Sequence, residues 1–367
     1  MPARLPRLPP LPPLLLPLLL TLPLAGCGLV TLSPSGDIAA RQGDLIVVAT
    51  VLMLLIVVPV MVLTGWFAWH FRATNQKANH DPDWHHSTAL ELVIWSAPLL
   101  IVIMLGAVTW ISTHTLDPFR KLDRIAEGRP LPEGVKPLKV QVVALDWKWL
   151  FIYPDYGIAS VNEMAAPVDV PIEFQITSST VMNSFFVPAL AGQIYAMPAM
   201  ETRLHAVINK AGDFEGFSAN YSGAGFSQMR FNFKGLDGQD FDRWVAKARE
   251  SNAELSRGEY LQLEKPGARG PVRLYGKTMA GLYDAVLNLC VEPTKMCQRD
   301  MAAIDARGGL GLANVYNVTR LSYDADRRRG AELPASNVYV AALCSLPSDV
   351  MASPVDPAFY GSRRLAP

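Results

Sequence analysis

The residues able to do chemistry in this chain are few, and most lack partners at a useful spacing. Six histidines stand at 70, 80, 85, 86, 114 and 205, and four cysteines at 27, 290, 297 and 344. A metal centre needs imidazole, thiolate or carboxylate groups that converge on one ion. His80, His85 and His86 cluster, but no acidic or cysteine ligand stands at a firm metal spacing beside them. A haem held within a membrane needs imidazoles from buried helix positions, whereas His70 and His114 sit at the ends of apolar runs. Cys290 and Cys297 are separated by six residues and are expected to form a disulfide in an oxidising compartment, with Cys344 an alternative partner for either. Gly223-Ala224-Gly225 lacks the strand–helix context of a phosphate cradle. A lone Met229 reads as a packing residue. Arg327-Arg328-Arg329 reads as a solvated turn. In the run Asp146 to Pro154, Trp147, Trp149, Phe151 and Tyr153 alternate and share one face of a strand.

The elements that must position these residues follow from composition. The chain has 367 residues, 33 basic against 33 acidic, and 50% hydrophobic residues. Its mean hydropathy is +0.18. Zero net charge argues against nucleic-acid binding, and half apolar is too hydrophobic for disorder. The average hides two unlike parts, because residues 1–119 hold only 11 of the 66 charged residues. A membrane segment averaged with a water-soluble domain explains the total.

Arg4 and Arg7 precede an apolar run from Leu11 to Leu24, and residues 1–26 read as a secretory signal removed from the mature fold. The run ends in Leu24-Ala25-Gly26-Cys27, which resembles a bacterial lipobox, so Cys27 is expected to carry lipid such as palmitate. Residues 27–119 then read as a hairpin of two membrane helices, at about 45–71 and 92–114. No Asp, Glu, Lys or Arg occurs in the 27 residues between Asp44 and Arg72, nor in the 25 between Glu91 and Asp117. Each run spans roughly 30 Å of hydrocarbon as a helix. Arg120, Lys121, Arg124 and Arg129 follow the second span, against the usual inward bias of positive charge. The lipobox fixes the orientation: an outside N-terminus and two crossings leave the large domain outside.

From Pro137 the pattern becomes short strands at Leu138–Leu145, Ile172–Thr177, Arg203–Ile208 and Met229–Phe233. Their spacing predicts a small antiparallel sandwich or barrel over 120–236. Residues 237–367 read as a mostly helical, aromatic-rich extension. There Phe241, Trp244, Val245 and Ala248 form an amphipathic face over 241–254.

Lipobox, helical hairpin, Trp147-Lys148-Trp149 and an outward sandwich together resemble subunit II of the haem–copper respiratory oxidases, over about residues 27–245. In the cytochrome c oxidase branch the resemblance implies a cupredoxin-like domain with a binuclear copper centre. Its ligands are a His, then a Cys-x-x-x-Cys-x-x-x-His-x-x-Met cluster with a Glu carbonyl between the cysteines. Here Asn183 stands at the first His position, Ser218 and Ser222 at the cysteines, Asn220 at the Glu and Phe226 at the second His. Only Met229 remains. Hydroxyls and a phenyl ring do not replace the thiolates and imidazoles that copper requires.

The copper-free pattern resembles subunit II of bacterial ubiquinol oxidases of the cytochrome bo type. Val181–Pro188, Gln193–Met197, Tyr221-Ser222-Gly223, Asp242–Ala248 and Gly281–Ala285 all carry that resemblance. It implies a two-helix transmembrane hairpin plus a copper-free, all-β cupredoxin-like sandwich with a C-terminal, mostly helical extension. It also implies a non-redox subunit of a proton-pumping ubiquinol:oxygen oxidoreductase in the bacterial inner membrane, with its domain in the periplasm. This chain would hold no cofactor. Haems and copper would lie in subunit I, with subunits III and IV and membrane lipid as further partners. By the same resemblance Glu91 marks a proton-uptake path, standing four residues before Trp95 where some relatives have three. The aromatic stripe from Trp147 to Tyr153 is expected to pack against the partner subunit or the membrane surface. Two other readings stay open. One is a copper electron-transfer subunit of a cytochrome c oxidase, and the other is a free-standing lipoprotein that binds a protein partner.

Overall fold

The computed structural model describes residues 30–306, apart from residues 80, 82 and 269. Cys27, His80, Arg327–Arg329 and Cys344 lie outside the described residues. Two helices, α1 (Asp37–His70) and α2 (Thr88–Thr115), are long and apolar enough to cross a membrane. They contact each other, and their apolar side chains are otherwise exposed, Trp95 and Leu92 among them. Pro59 and Pro98 lie inside them, where a lipid setting tolerates a missing backbone donor.

Helix α1 begins at Asp37, eight residues ahead of the expected start, and α2 begins at Thr88. The charges of Asp37, Arg41 and Asp44 end the uncharged run but do not end the helix. At about 1.5 Å per residue, 34 residues reach well beyond the hydrocarbon. The surplus turns are built into the sandwich. Asp37, Ile38 and Ala39 are buried there, while Gly43 is buried beside the Thr31 carbonyl. The Ser35 and Gly36 N–H groups donate to the Ala189 carbonyl at 3.0 and 2.9 Å. Gly36 is required at this close approach, since a Cβ would stand 2.6 Å from both the Leu190 and Val207 carbonyl oxygens. Asp37 forms a two-pronged ion pair with Arg124 at 2.9 and 3.0 Å.

Fifteen strands, β1 to β15, occur among the described residues, and eleven of them build the sandwich. A short hairpin of β1 (Arg124–Ala126) and β2 (Arg129–Pro130) precedes it. One six-stranded sheet has the order β10 (Thr202–Val207), β7 (Pro171–Ser178), β3 (Leu138–Leu145), β4 (Lys148–Tyr153), β5 (Ile158–Val161), β14 (Arg273–Tyr275). The facing five-stranded sheet has the order β6 (Glu163–Pro167), β12 (Arg230–Leu236), β11 (Gly212–Ser218), β8 (Asn183–Phe186), β9 (Ile194–Ala196).

The pairing is mixed rather than antiparallel throughout. β3 pairs with β7 in parallel, and so does β6 with β12. The cause is a double sheet switch: the chain leaves the first sheet after β5, adds β6 to the second, and returns as β7. The two corners are Asn162 and Asp169, both with left-handed φ of 58° and 59°. Short polar side chains tolerate that conformation because they can hydrogen-bond locally. Asn162 Oδ1 accepts the Trp149 N–H at 3.0 Å, and Asp169 is gripped by Arg129 and Asn209.

Trp149, Phe151 and Tyr153 point into the sandwich and are fully buried with Phe174, Phe185, Phe231 and Phe233. This corrects their expected packing against a partner subunit or the membrane surface: they fill this chain's own core. The opposite face of β4, Leu150 and Ile152, is also buried, under residues of the extension such as Leu255, Tyr260, Leu282 and Tyr283. A strand covered on both faces loses its polar alternation.

The extension contains the helices α3 (Gly238–Glu250), α4 (Arg257–Glu264), α5 (Leu282–Leu287) and α6 (Gln298–Asp305). It is not helical alone. β14 adds an edge strand to the six-stranded sheet, and β13 (Glu254–Leu255) pairs with β15 (Lys277–Thr278). The amphipathic helix ends at Glu250 rather than 254, because Ser251 turns extended and the chain enters β13. Its expected face is the buried one: Phe241, Trp244, Val245 and Ala248 join the sandwich core. Trp244 Nε1 donates to Glu163 Oε1 at 2.9 Å, and Lys234 pairs with the other oxygen at 3.0 Å.

Candidate functional site

Two strands and one loop bring together the residues at the expected ligand positions. Asn183 opens β8, and Ser218 closes β11, the strand paired antiparallel beside it. The loop 219–229 carries Ser222 and a short 3-10 turn, Phe226–Gln228, before Met229. Asn183, Ser218 and Met229 are each almost fully buried.

The polar groups of this cluster are already used by one another. The Ser218 hydroxyl lies 3.1 Å from Asn183 Oδ1 and 3.2 Å from the Asn220 carbonyl oxygen. It also accepts the Ser184 N–H at 3.4 Å. Asn183 Nδ2 donates to the Val181 carbonyl at 3.1 Å, and Asn220 Nδ2 to that of Met182 at 3.1 Å. Ser222 Oγ lies 4.0 Å from Met229 Sδ. Neutral hydroxyl and amide groups are poor copper donors, and Phe226 offers none. The donor set does not fit a copper centre. No group of three His, Cys, Asp or Glu able to hold a metal occurs among the described residues.

Around the cluster the frame is closely packed. Trp149 Nε1 donates to the Met229 carbonyl at 3.4 Å, and the Phe185 and Phe231 rings stack at 5.4 Å. Tyr153 donates to the Ala165 carbonyl at 2.9 Å and accepts its N–H at 3.0 Å, while burial pushes its phenol far above the ordinary range. Trp147 is the departure from the expected alternation. It adopts φ 65° in the turn between β3 and β4, a strained conformation for a bulky side chain. Its indole donates to the Ser222 carbonyl at 3.1 Å and lies against the 222–225 loop. A Cβ at Gly225 would fall 2.3 Å from the Trp147 ring, so glycine is required there. Nothing in the sequence alone marks Trp147 as strained, although two glycines within three residues signal a close backbone approach.

The other expected site residues are dispersed. Glu91 lies in the first turn of α2, where His86 Nδ1 stands 2.8 Å from Glu91 Oε1 and Nε2 stands 3.2 Å from the Thr88 hydroxyl. Cys290 and Cys297 are joined as a disulfide at the start of α6. The Asp37–Arg124 pair and the Asn162 corner are positioning residues that periodicity does not reveal.

Residues 157–235 match the family model described as cytochrome c oxidase subunit II, periplasmic domain, and residues 249–294 match the COX aromatic rich motif. The cytochrome bo(3) ubiquinol oxidase subunit 2 of Pseudomonas putida is 47% identical over 274 residues, 75% of this chain and 84% of that one. The subunit of the same description from Pseudomonas aeruginosa is 48% identical over 72% of this chain and 77% of its own. The ubiquinol oxidase subunit 2 of Acetobacter aceti is 44% identical over 72% and 83%. With that identity, two apolar helices and a matching periplasmic domain whose 219–229 loop contains no cysteine or histidine, the chain belongs to the family of bacterial ubiquinol oxidase subunits 2.

Proposed function

We propose that this chain is the non-redox second subunit of a proton-pumping ubiquinol:oxygen oxidoreductase, supporting a subunit I that carries the haems and copper. The observation that carries this reading is the Asn183–Ser218 hydrogen bond at 3.1 Å, where a copper-bearing relative would need ligands. A cytochrome outside the membrane then has no acceptor in this domain. A lipid-soluble quinol delivers electrons within the bilayer instead. Subunits III and IV complete the assembly. In this reading residues 1–26 are removed, Cys27 is lipidated, and the sandwich and its extension stand in the periplasm above the inner membrane. Glu91, at the opposite membrane face, serves proton uptake into subunit I.

The test is purification of the complex in mild detergent with haem spectroscopy and a copper count. The complex consumes oxygen with ubiquinol and not with reduced cytochrome c. Its copper count matches subunit I alone. Turnover with cytochrome c and two extra coppers per complex would establish the electron-transfer reading. A chain that migrates without a haem-bearing partner would establish the free-standing lipoprotein. Intact mass of the mature chain reports Cys27 lipidation, and a slower proton uptake in Glu91→Gln reports its role.

A further inference from the structure

The four cations that follow α2 against the usual charge bias have two different fates. Arg124 is consumed by Asp37 and Arg129 by Asp169. Arg120 and Lys121 instead line a cavity of about 70 Å³. Arg41, on the second turn of α1, lines it as well. Arg120 lies 3.2 Å from Asp123, and the Asp117 carboxylate accepts the Phe119 N–H. Arg41 and Lys121 have no ion-pair partner among the described residues. His205 also lines the cavity, but burial lowers its pKa, so it adds no charge at neutral pH. Three cations against two carboxylates leave one net positive charge, the complement of one phosphodiester.

The height of this cavity selects the ligand. The uncharged runs end at Asp44 and Asp117, so Arg41 and residues 117–121 bracket the boundary between hydrocarbon and water. The remaining walls come from the two span ends, Ile38, Thr115 and Leu116, and from Leu204 on β10. A ligand at this level with an acidic head meets cations above the boundary and the exposed apolar faces of α1 and α2 below it.

We propose that the cavity bounded by Arg41, Arg120 and Lys121 binds the phosphate of one anionic phospholipid of the outer leaflet. The proposal rests on the orientation stated above, with the sandwich outside. Phosphatidylglycerol supplies the phosphodiester together with acyl chains that lie along the spans, and inorganic phosphate supplies only the former.

The assembled oxidase, purified in mild detergent and washed, is extracted for retained lipid. One equivalent of anionic phospholipid stays with the unsubstituted complex. Arg41→Gln with Lys121→Gln weakens retention roughly thirtyfold, at about a factor of five per cation. Arg41→Lys with Lys121→Arg keeps the charges and keeps the lipid. Arg243→Gln, an exposed cation on α3, leaves retention unchanged. Phosphatidylglycerol vesicles raise the melting temperature of delipidated complex, whereas inorganic phosphate or phosphatidylcholine vesicles do not. Equal retention in the glutamine variant, or an equal response to inorganic phosphate, overturns the site. Purification of the chain without a haem-bearing partner would instead overturn the oxidase reading, because lipid retention is still measured on the chain itself.

Discussion

The cluster at Asn183 and Ser218 and the junction at Gly36 and Asp37 are both buried and polar, yet they hold the molecule differently. In the cluster every group is neutral, and its hydrogen bonds close within one pair of strands and one loop. At the junction a full charge is buried, and its partner comes from 87 residues away. The first arrangement tolerates loss of one member at the cost of a neutral hydrogen bond. The second does not, because a buried carboxylate without its cation is expensive. The neutral cluster is thus softer than the charged joint, and four substitutions put this contrast at risk.

Gly36→Val is the severest. Its side chain meets two backbone carbonyls that cannot rotate away, so α1 undocks and the yield of assembled complex collapses on size-exclusion chromatography. Arg124→Gln leaves Asp37, 3% exposed at its side chain, without a cation and lowers stability by about 2–3 kcal/mol in thermal unfolding. Ser218→Ala removes one hydroxyl from the cluster, costs about 1 kcal/mol, and leaves ubiquinol-dependent oxygen uptake unchanged. If Ser218→Ala destabilises as much as Arg124→Gln, the contrast fails.

The smallest effect is a pH dependence. Arg129 and Asn209, hydrogen-bonded to Asp169, hold its carboxyl below the ordinary value. Its stabilisation is therefore present above the unfolded carboxylate pKa near ~3.9 and fades as pH falls through the lower folded one. Arg129→Gln is less stable than the parent at neutral pH, and the gap closes in strong acid and shrinks in high salt. A gap that persists in acid removes the ion pair as its cause.

Much of the frame was readable because each element repeats its own period. β3 runs from Leu138 to Leu145 as the alternation predicts, and the buried face of α3 is the one its spacing marks. What escaped depends on contacts between distant residues. Charge ended the readable part of α1 at Asp44, whereas burial against Leu190 extends the helix to Asp37. β4 is buried on both faces, so its partner surfaces are not distinguishable by pattern. That Asn183, Ser218, Ser222 and Phe226 stand where the resemblance expects ligands is legible from motif order. That Ser218 bonds Asn183, 35 residues away, needs the pairing of β8 with β11.

The unbroken helix from Gly36 into the apolar span has a mechanical meaning. A domain on a flexible tether sweeps a hemisphere above the membrane, and docking it to a partner freezes all of that tumbling. Here α1 enters the sandwich without a linker and is tied to it by the Asp37–Arg124 pair and the bonds to Ala189, so the domain's heading follows from how α1 and α2 are seated in the bilayer. Assembly with the rest of the oxidase then becomes a search in two dimensions with the rotation already fixed, and little orientational entropy is left to lose.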